Sequence, residues 1–366
     1  MITTTLSAPT WTSPVDEWTN LSWAAAAGGG EKPPGRYVVY VLVGGAVAVA
    51  NAVVVGAIAS ERALRAQNHY FVMAGLALCD ATNGLAALVA GPWRSYLIWT
   101  GAHRTLFTSW QRLTLRPYTS LMNWAGVGSQ AMLAAQSLDR LLAVGAPIFY
   151  YKCGGAYKWR LVGGVYALVS AWYLLGVGIS FANEPVARYQ STCQSLWAVG
   201  SVVYSEWWFI VQATASGSSA LLYAPIMLYS LKNIFTIYKK ILRWRRQLAR
   251  LAPKRAIVLP KVASTDMVVA GGGPGAGAWT ATTPAVEHRL ALTMGMRCAV
   301  TMTLATVPNA AMRLLLDSHA PGYEAVANVV YLLTLFTSLP NVCIQAARHS
   351  ELRDAMRAVL RSKRAR

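Results

Sequence analysis

Acidic side chains are scarce in this sequence. Asp and Glu number 14 against 33 Lys and Arg in 366 residues, and charged residues of both signs make up only 13%. A soluble domain carries roughly a quarter charged residues, so this chain has too little polar surface to meet water on all sides. Cysteine and histidine are also thinly spread. Cys79, Cys153, Cys193, Cys298 and Cys343 show no metal-ligand spacing and no CxxC pair, and His69, His103, His288, His319 and His349 are equally dispersed. No zinc site and no Cys/His nucleophile follow from that pattern, and the absence of a catalytic constellation argues against an enzyme. The first thirty residues have no basic stretch followed by an apolar core, so a cleaved signal peptide is not expected.

Apolar residues are abundant instead. They form 55% of the chain, mean hydropathy is +0.37, and there are 14 Trp and 17 Tyr, rings that settle at lipid headgroups. A bilayer-crossing helix needs about 20 mainly apolar residues. Seven stretches qualify, at 36–60, 70–93, 117–146, 160–182, 206–238, 290–316 and 324–347. Each is expected to be a helix, because backbone groups in lipid must bond within their own segment. The expected fold is an all-α membrane protein, a seven-transmembrane helix bundle over 36–347. Residues 1–35 form an N-terminal tail, and 348–366 a basic C-terminal segment.

The net charge of +19 raises nucleic acid as a partner, but 17 of the Lys and Arg lie in two blocks, Lys239 to Arg289 and Arg348 to Arg366. Both border apolar segments and neither holds a nucleic-acid motif; a cytoplasmic face near anionic membrane lipids explains them better. With the N-terminus outside, the inner loops hold 22 Lys and Arg and the outer parts 8, the bias that orients multi-pass proteins. Asn20, in an Asn-Leu-Ser triplet, is then a candidate glycosylation site. Within the cytoplasmic loop of about 239–289, residues 261–284 are rich in Gly, Ala, Thr and Pro and read as flexible. In the last segment Leu352, Met356, Val359 and Leu360 share a face among arginines, which fits a short amphipathic helix along the membrane or a solvated basic tail.

The stretch SLDRLLAVGAPIFYYK, 137–152, closes the third apolar segment with a carboxylate and a guanidinium side by side. Charges at that depth must be paired or near water. Asp139 can hold Arg140 in one position and release it toward another partner, a two-state element. Asp80 is the only carboxylate near mid-membrane and should face the bundle. Pro225 and Pro308 remove local helix hydrogen bonds and serve either as flexible joints or as static kinks. Arg297, about two turns inside the sixth helix, is expected to snorkel toward the cytoplasm.

DRLLAVGAPIFY resembles the DRYxAVxxPLxY signature of rhodopsin-like (class A) G-protein-coupled receptors. Asn51, Asp80, Trp172, Pro225 and Pro308 resemble that family's landmarks in helices one, two, four, five and six. Asn341 to Gln345 stand where the family has NPxxY, with Pro340 before the asparagine. RHSELRDAM resembles the start of its eighth helix, with Leu352 as apolar anchor. The resemblance spans about 36–360. It implies a plasma-membrane receptor that passes an extracellular ligand signal to a heterotrimeric G protein by movement of helices five and six around Arg140. It implies also a sodium or water pocket at Asp80, Asn51 and Asn341, a resting-state partner for Arg140 at Glu287, and a ligand pocket near Met122, Asn123, Gly126 and Thr306. Simple helix packing is the alternative for those last four.

The chain departs from the family in several places. Leu141 replaces the DRY tyrosine, Ala305-Thr306-Val307-Pro308 lacks the sixth-helix tryptophan, and Asn233 and Gln345 replace two further tyrosines. Cys193 fits the loop half of the family's outer disulfide, but no cysteine stands near the third-helix position. Met122 occupies the place of the amine-binding aspartate, so a biogenic amine is not the expected ligand. Arg94, Arg104, Arg112 and Arg116 either attract an anion or are solvated. A non-signalling receptor-like scaffold stays open as a second reading; a transporter would need repeats and more midplane polar groups than the sequence has.

Overall fold

The computed structural model describes residues 35–102, 105–183, 189–190, 204, 207–226, 228, 239, 293, 295–311 and 323–362. In chain order the elements are α1 (Gly35–Ser60), α2 (Arg62–Ala66), α3 (Asn68–Trp99), β1 (Leu106–Phe107), α4 (Ser109–Leu115), α5 (Pro117–Gly145), α6 (Pro147–Lys152), α7 (Ala156–Asn183) and β2 (Tyr189–Gln190). Then come α8 (207–226), α9 (295–311), α10 (Tyr323–Phe336), α11 (Ser338–Arg348) and α12 (Ser350–Ser362). Among the described residues four helical stretches are long and apolar enough to cross a membrane: Tyr37–Ser60, Asn68–Trp99, Ala156–Ala182 and Val329–Arg348. Their outward side chains are apolar too. Leu42, Leu168, Leu174 and Phe181 are each more than 60% exposed, a surface that lipid would cover.

Helix α3 lies at the centre of the described bundle, against α1 on one side and α5 on another, with α7 packed on both α5 and α3. Small residues allow the closest contact. A Cβ added at Gly84 would lie 2.6 Å from the Ala48 nitrogen, and one at Gly44 2.8 Å from Ala87 Cβ. Apolar burial cannot drive helices together in lipid, so backbone approach of this kind supplies the packing. On the α5 side Gly128 meets Cys79, and Val72, Leu76, Met132, Leu133 and Val162 form the core. Helix α8 joins through Trp208, which packs with Val127 and Val169.

The two prolines of α9 and α11 have local consequences. Residues Met302–Thr306 form a π turn just before Pro308, the usual way to absorb a carbonyl that proline leaves without a donor. Asn309 then bonds the Ala305 carbonyl at 2.8 Å and Thr334 Oγ1 on α10 at 3.2 Å. The seventh apolar segment divides into α10 and α11 at Thr337, because Pro340 offers no N–H to the Phe336 carbonyl, but Thr337 itself keeps helical angles (φ −54°, ψ −28°) and the helix direction carries through. Helix α12 folds back on α1. Leu352 is fully buried among Val54, Ala57, Ile58, Tyr70 and Met73, with Met356 and Val359 beside it. Leu360 is 51% exposed and does not join that face.

Candidate functional site

Helix α5 ends where the sequence requires it to. The residue before a proline avoids helical geometry, and Ala146 has φ −138° and ψ 59°. Pro147 then opens α6, where a missing N–H costs nothing, and α6 carries Tyr150 back to the end of α5. Asp139 is fully buried and Arg140 is 11% exposed. Sequential residues on a helix do not face each other, so Arg140 must fold back to reach its neighbour. Its Nε donates to Asp139 Oδ2 at 3.0 Å, and Nη2 pairs with the same oxygen. Nη2 also donates to Tyr150 Oη at 3.2 Å, while the Tyr150 hydroxyl donates to Asp139 Oδ1 at 3.0 Å.

The result is a closed triad in which each member touches the other two. Burial pushes the Tyr150 pKa well above its ordinary value, so the hydroxyl keeps the proton it donates. Tyr157 stacks edge-on at 5.6 Å and fixes the ring. Stripping one partner from a buried ion pair costs about 3–5 kcal/mol. Tyr150 lowers that cost, because Asp139 still has a donor when Arg140 leaves. Leu141 packs against the core around Val72, Leu76 and Met132.

One turn inward the structure corrects an expectation. Arg297 does not snorkel; it is fully buried. Its Nη1 donates to Gln136 Oε1 on α5 at 2.9 Å. With the Gln345 amide oxygen turned toward the guanidinium, Gln345 on α11 accepts from Nη2 at 3.0 Å and Nη1 at 3.1 Å. Polar acceptors on two other helices are within reach, and those helices block the path to water. Arg297 therefore ties α5, α9 and α11 together.

Asp80 is buried, and Ser129 Oγ donates to its Oδ1 at 2.7 Å. Arg297 acts on the same carboxylate electrostatically. Asn51 is buried on α1, where its Nδ2 donates to the Val47 carbonyl at 3.0 Å. Asn341 is buried on α11, and among the described residues its Oδ1 has no hydrogen-bond partner. Oxygens of Asp80, Ser129 and Asn341 suit a sodium ion chemically, but the guanidinium already supplies positive charge there.

At the opposite end of the bundle the expected pocket residues point to different neighbours. Tyr331 Oη donates to Met122 Sδ at 2.7 Å, and a Cβ at Gly126 would lie 3.5 Å from both Trp208 and Gln212. Asn123 is buried; Thr306 sits in the π turn, and among the described residues its Oγ1 has no hydrogen-bond partner. Among the described residues no hydrogen bond joins Thr306 to the other three. Pro225 lies exposed in α8. Glu287, Asn20, Cys193, Asn233 and nearly all of the loop at 239–289 lie outside the described residues.

Neither a known family model nor a curated protein matches this chain. Its function must be argued from the residues above. Three of them were not singled out by sequence reading: Tyr150, Gln136 and His349. Gln136 lies four residues before Arg140, so a helical wheel places it near the pair; Tyr150 stands inside the quoted FYYK run, but only the turn at Pro147 brings it to the end of α5. His349, at the joint of α11 and α12, faces Tyr70 Oη at 3.4 Å. Burial, with the guanidiniums of Arg297 and Arg140, pushes its pKa down to about 4. No local pattern in the sequence reveals that pairing, since 279 residues separate the partners.

Proposed function

We propose that the chain is a seven-helix receptor of the rhodopsin-like type, in the plasma membrane with its N-terminus outside, that signals to a heterotrimeric G protein. The observation that carries this reading is the Asp139–Arg140–Tyr150 triad. A buried carboxylate with two donors can release one and keep the other, so Arg140 is held but not locked. An extracellular ligand other than a biogenic amine would bias α8 and α9, whose Pro225 and Pro308 interrupt the helical ladder. Their displacement would break the Arg297 tie to Gln136 and open a cleft beneath Arg140. There the guanidinium would meet the G protein, with basic helix ends around it and α12 against the lipid. A sodium ion at Asp80 would compete with the charge of Arg297.

The test is nucleotide exchange on a panel of G-protein subtypes, with the full chain reconstituted in lipid. Arg140→Ala is expected to lower exchange at least about tenfold, the loss of roughly 1.4 kcal/mol or more of contact. Equal exchange with both chains sinks the proposal. A non-signalling heptahelical scaffold is the second reading. The fully buried Arg297, bonded to two other helices at once, favours it, because a tie of that kind resists opening.

A further inference from the structure

The foot of the bundle, at the Asp139 end, carries a second group of charges that the triad does not use. The connection between α1 and α3 is only residues 61–67, and α2 fills most of it. Leu64 is buried among Ile58, Tyr70 and Leu352, which pins α2 to the bundle. Arg62 and Arg65, three apart on one side of that turn, are thereby turned outward and exposed. The carbonyls that end α2 lack helical donors, and Lys158 of α7 supplies one. Its Nζ donates to the Arg65 oxygen at 2.6 Å and lies 5.4 Å from the Phe71 ring centre. Helix α7 therefore starts against α2. Gly154, at φ +60°, turns the chain between α6 and α7, and the contact of Tyr150 with Tyr157 holds α6 and its Lys152 at the same foot.

These cations stand at the level where lipid meets water. Arg62 comes two residues after the apolar stretch that ends at Ser60, and Arg65 three before the one that starts at Asn68. Trp159, in the first turn of α7, is 65% exposed and lies edge-on to Phe71 at 4.4 Å; an indole held there suits the headgroup layer. Arg160 follows it and heads the exposed stripe of α7 that runs on through Leu168 and Leu175. On a lipid-facing stripe a guanidinium must reach back to the headgroups. Arg62, Arg65, Lys152 and Arg160 are all exposed, and their side chains form no ion pair or hydrogen bond with the described residues. Glu61 is the one carboxylate in 61–67 and 147–160, and it pairs with none of them. At the other end of α3, by contrast, Arg94 is buried over the Tyr118 ring.

We propose that this foot is a docking surface for membrane lipids whose headgroups carry a phosphate monoester. A group of four or more cations directly beside membrane helices attracts anionic lipid, and the guanidinium fork matches phosphate oxygens. Arg62 and Arg65 give the selectivity, because they share one turn of a short, pinned helix. A phosphodiester headgroup such as phosphatidylglycerol brings a single charge. A monoester brings close to two, with three acceptor oxygens, so one headgroup can bridge both arginines. Trp159 and Arg160 meet the same leaflet one helix away. The inference goes beyond the receptor reading: it requires a membrane and no G protein.

The experiment places the full chain in nanodiscs of neutral phosphatidylcholine that hold equal small fractions of phosphatidate, a monoester, and phosphatidylglycerol, a diester. Native mass spectrometry counts the lipids that stay bound. Phosphatidate is expected to be retained over phosphatidylglycerol by at least about fivefold. The double variant Arg62→Gln with Arg65→Gln should weaken phosphatidate binding about ten- to thirtyfold and abolish the preference, with Tm unchanged because both side chains are exposed. Should the double variant misfold, Arg62→Gln alone repeats the test with an expected loss of about fivefold. Arg357→Gln with Arg361→Gln, on α12, should leave the preference intact. Equal retention of the two lipids by the wild-type chain overturns the proposal, as does a preference that survives in the α2 variants. It is also overturned if the α12 variants alone remove the preference, which would assign the lipid to the basic C-terminal helix.

Discussion

Tyr150 makes two bonds of unequal worth, and their difference decides what its removal does. Its acceptor role toward Arg140 is a contact at 3.2 Å, while its hydroxyl serves a buried carboxylate at 3.0 Å. In the closed triad Asp139 would survive loss of the hydroxyl, since Arg140 still pairs with it. Once Arg140 departs, the carboxylate would be left buried and bare, and an unsatisfied buried charge costs more than a lost neutral bond. Tyr150→Phe should therefore disfavour the open form more than the closed one. The expected outcome is a fall of about fivefold in ligand-free nucleotide exchange, equivalent to roughly 1 kcal/mol, with Tm lower by a few degrees. Unchanged exchange together with an unchanged Tm would show that the hydroxyl is a bystander. Asp139 and Arg140 could be read directly from a run of letters, but the third member could not. Its role depends on α6 turning back after Pro147, a tertiary consequence of a local break.

Helix α12 shows how an element can be legible while its control is not. The pattern of Leu352, Met356 and Val359 announces an apolar face, and the structure packs these residues against α1 and α3. Leu360 has the right letter but is rotated to the edge of that face: its neighbour Val359 reaches α1 while Leu360 stays exposed. The joint before the helix is a different matter. His349 is buried beside Tyr70, and its pKa of about 4 means that the folded joint binds a neutral imidazole. An unfolded histidine titrates near 6.5, so the unfolded state binds more protons between those values. The stabilisation is fully present above about pH 6.5 and is lost as pH falls toward 4. Acidification should loosen α12 first, seen as faster amide exchange in Ser350–Ser362 and a Tm lower by roughly 5 °C at pH 4.5 than at pH 7. In His349→Gln that acid limb should flatten. If α12 amides exchange at the same rate at both pH values, the histidine does not hold the joint.

At the scale of the whole molecule, hydropathy conveyed the helical architecture because lipid leaves the backbone few choices. It placed helices where α1, α3, α5 and α7 are found, and it located Asp80 on a bundle-facing side. It failed where polar residues answer one another across the bundle. Arg297 looked like a charge seeking water, yet Gln136 and Gln345 meet it from helices separated from it in sequence. The two proposed functions diverge at this tie. For a receptor, it is a brake that ligand energy can release; for a scaffold, it is part of a permanent core. Arg297→Met keeps much of the bulk while removing the charge and its donors. Gln136 and Gln345 then lose their shared partner, which should lower Tm by several degrees in either case. Only a receptor should answer with a functional gain: a rise of about fivefold or more in ligand-free nucleotide exchange, and wider separation between probes at the ends of α5 and α9. A variant that loses stability but gains neither exchange nor separation would assign the chain to the scaffold reading, because the brake would have been removed with nothing behind it to move.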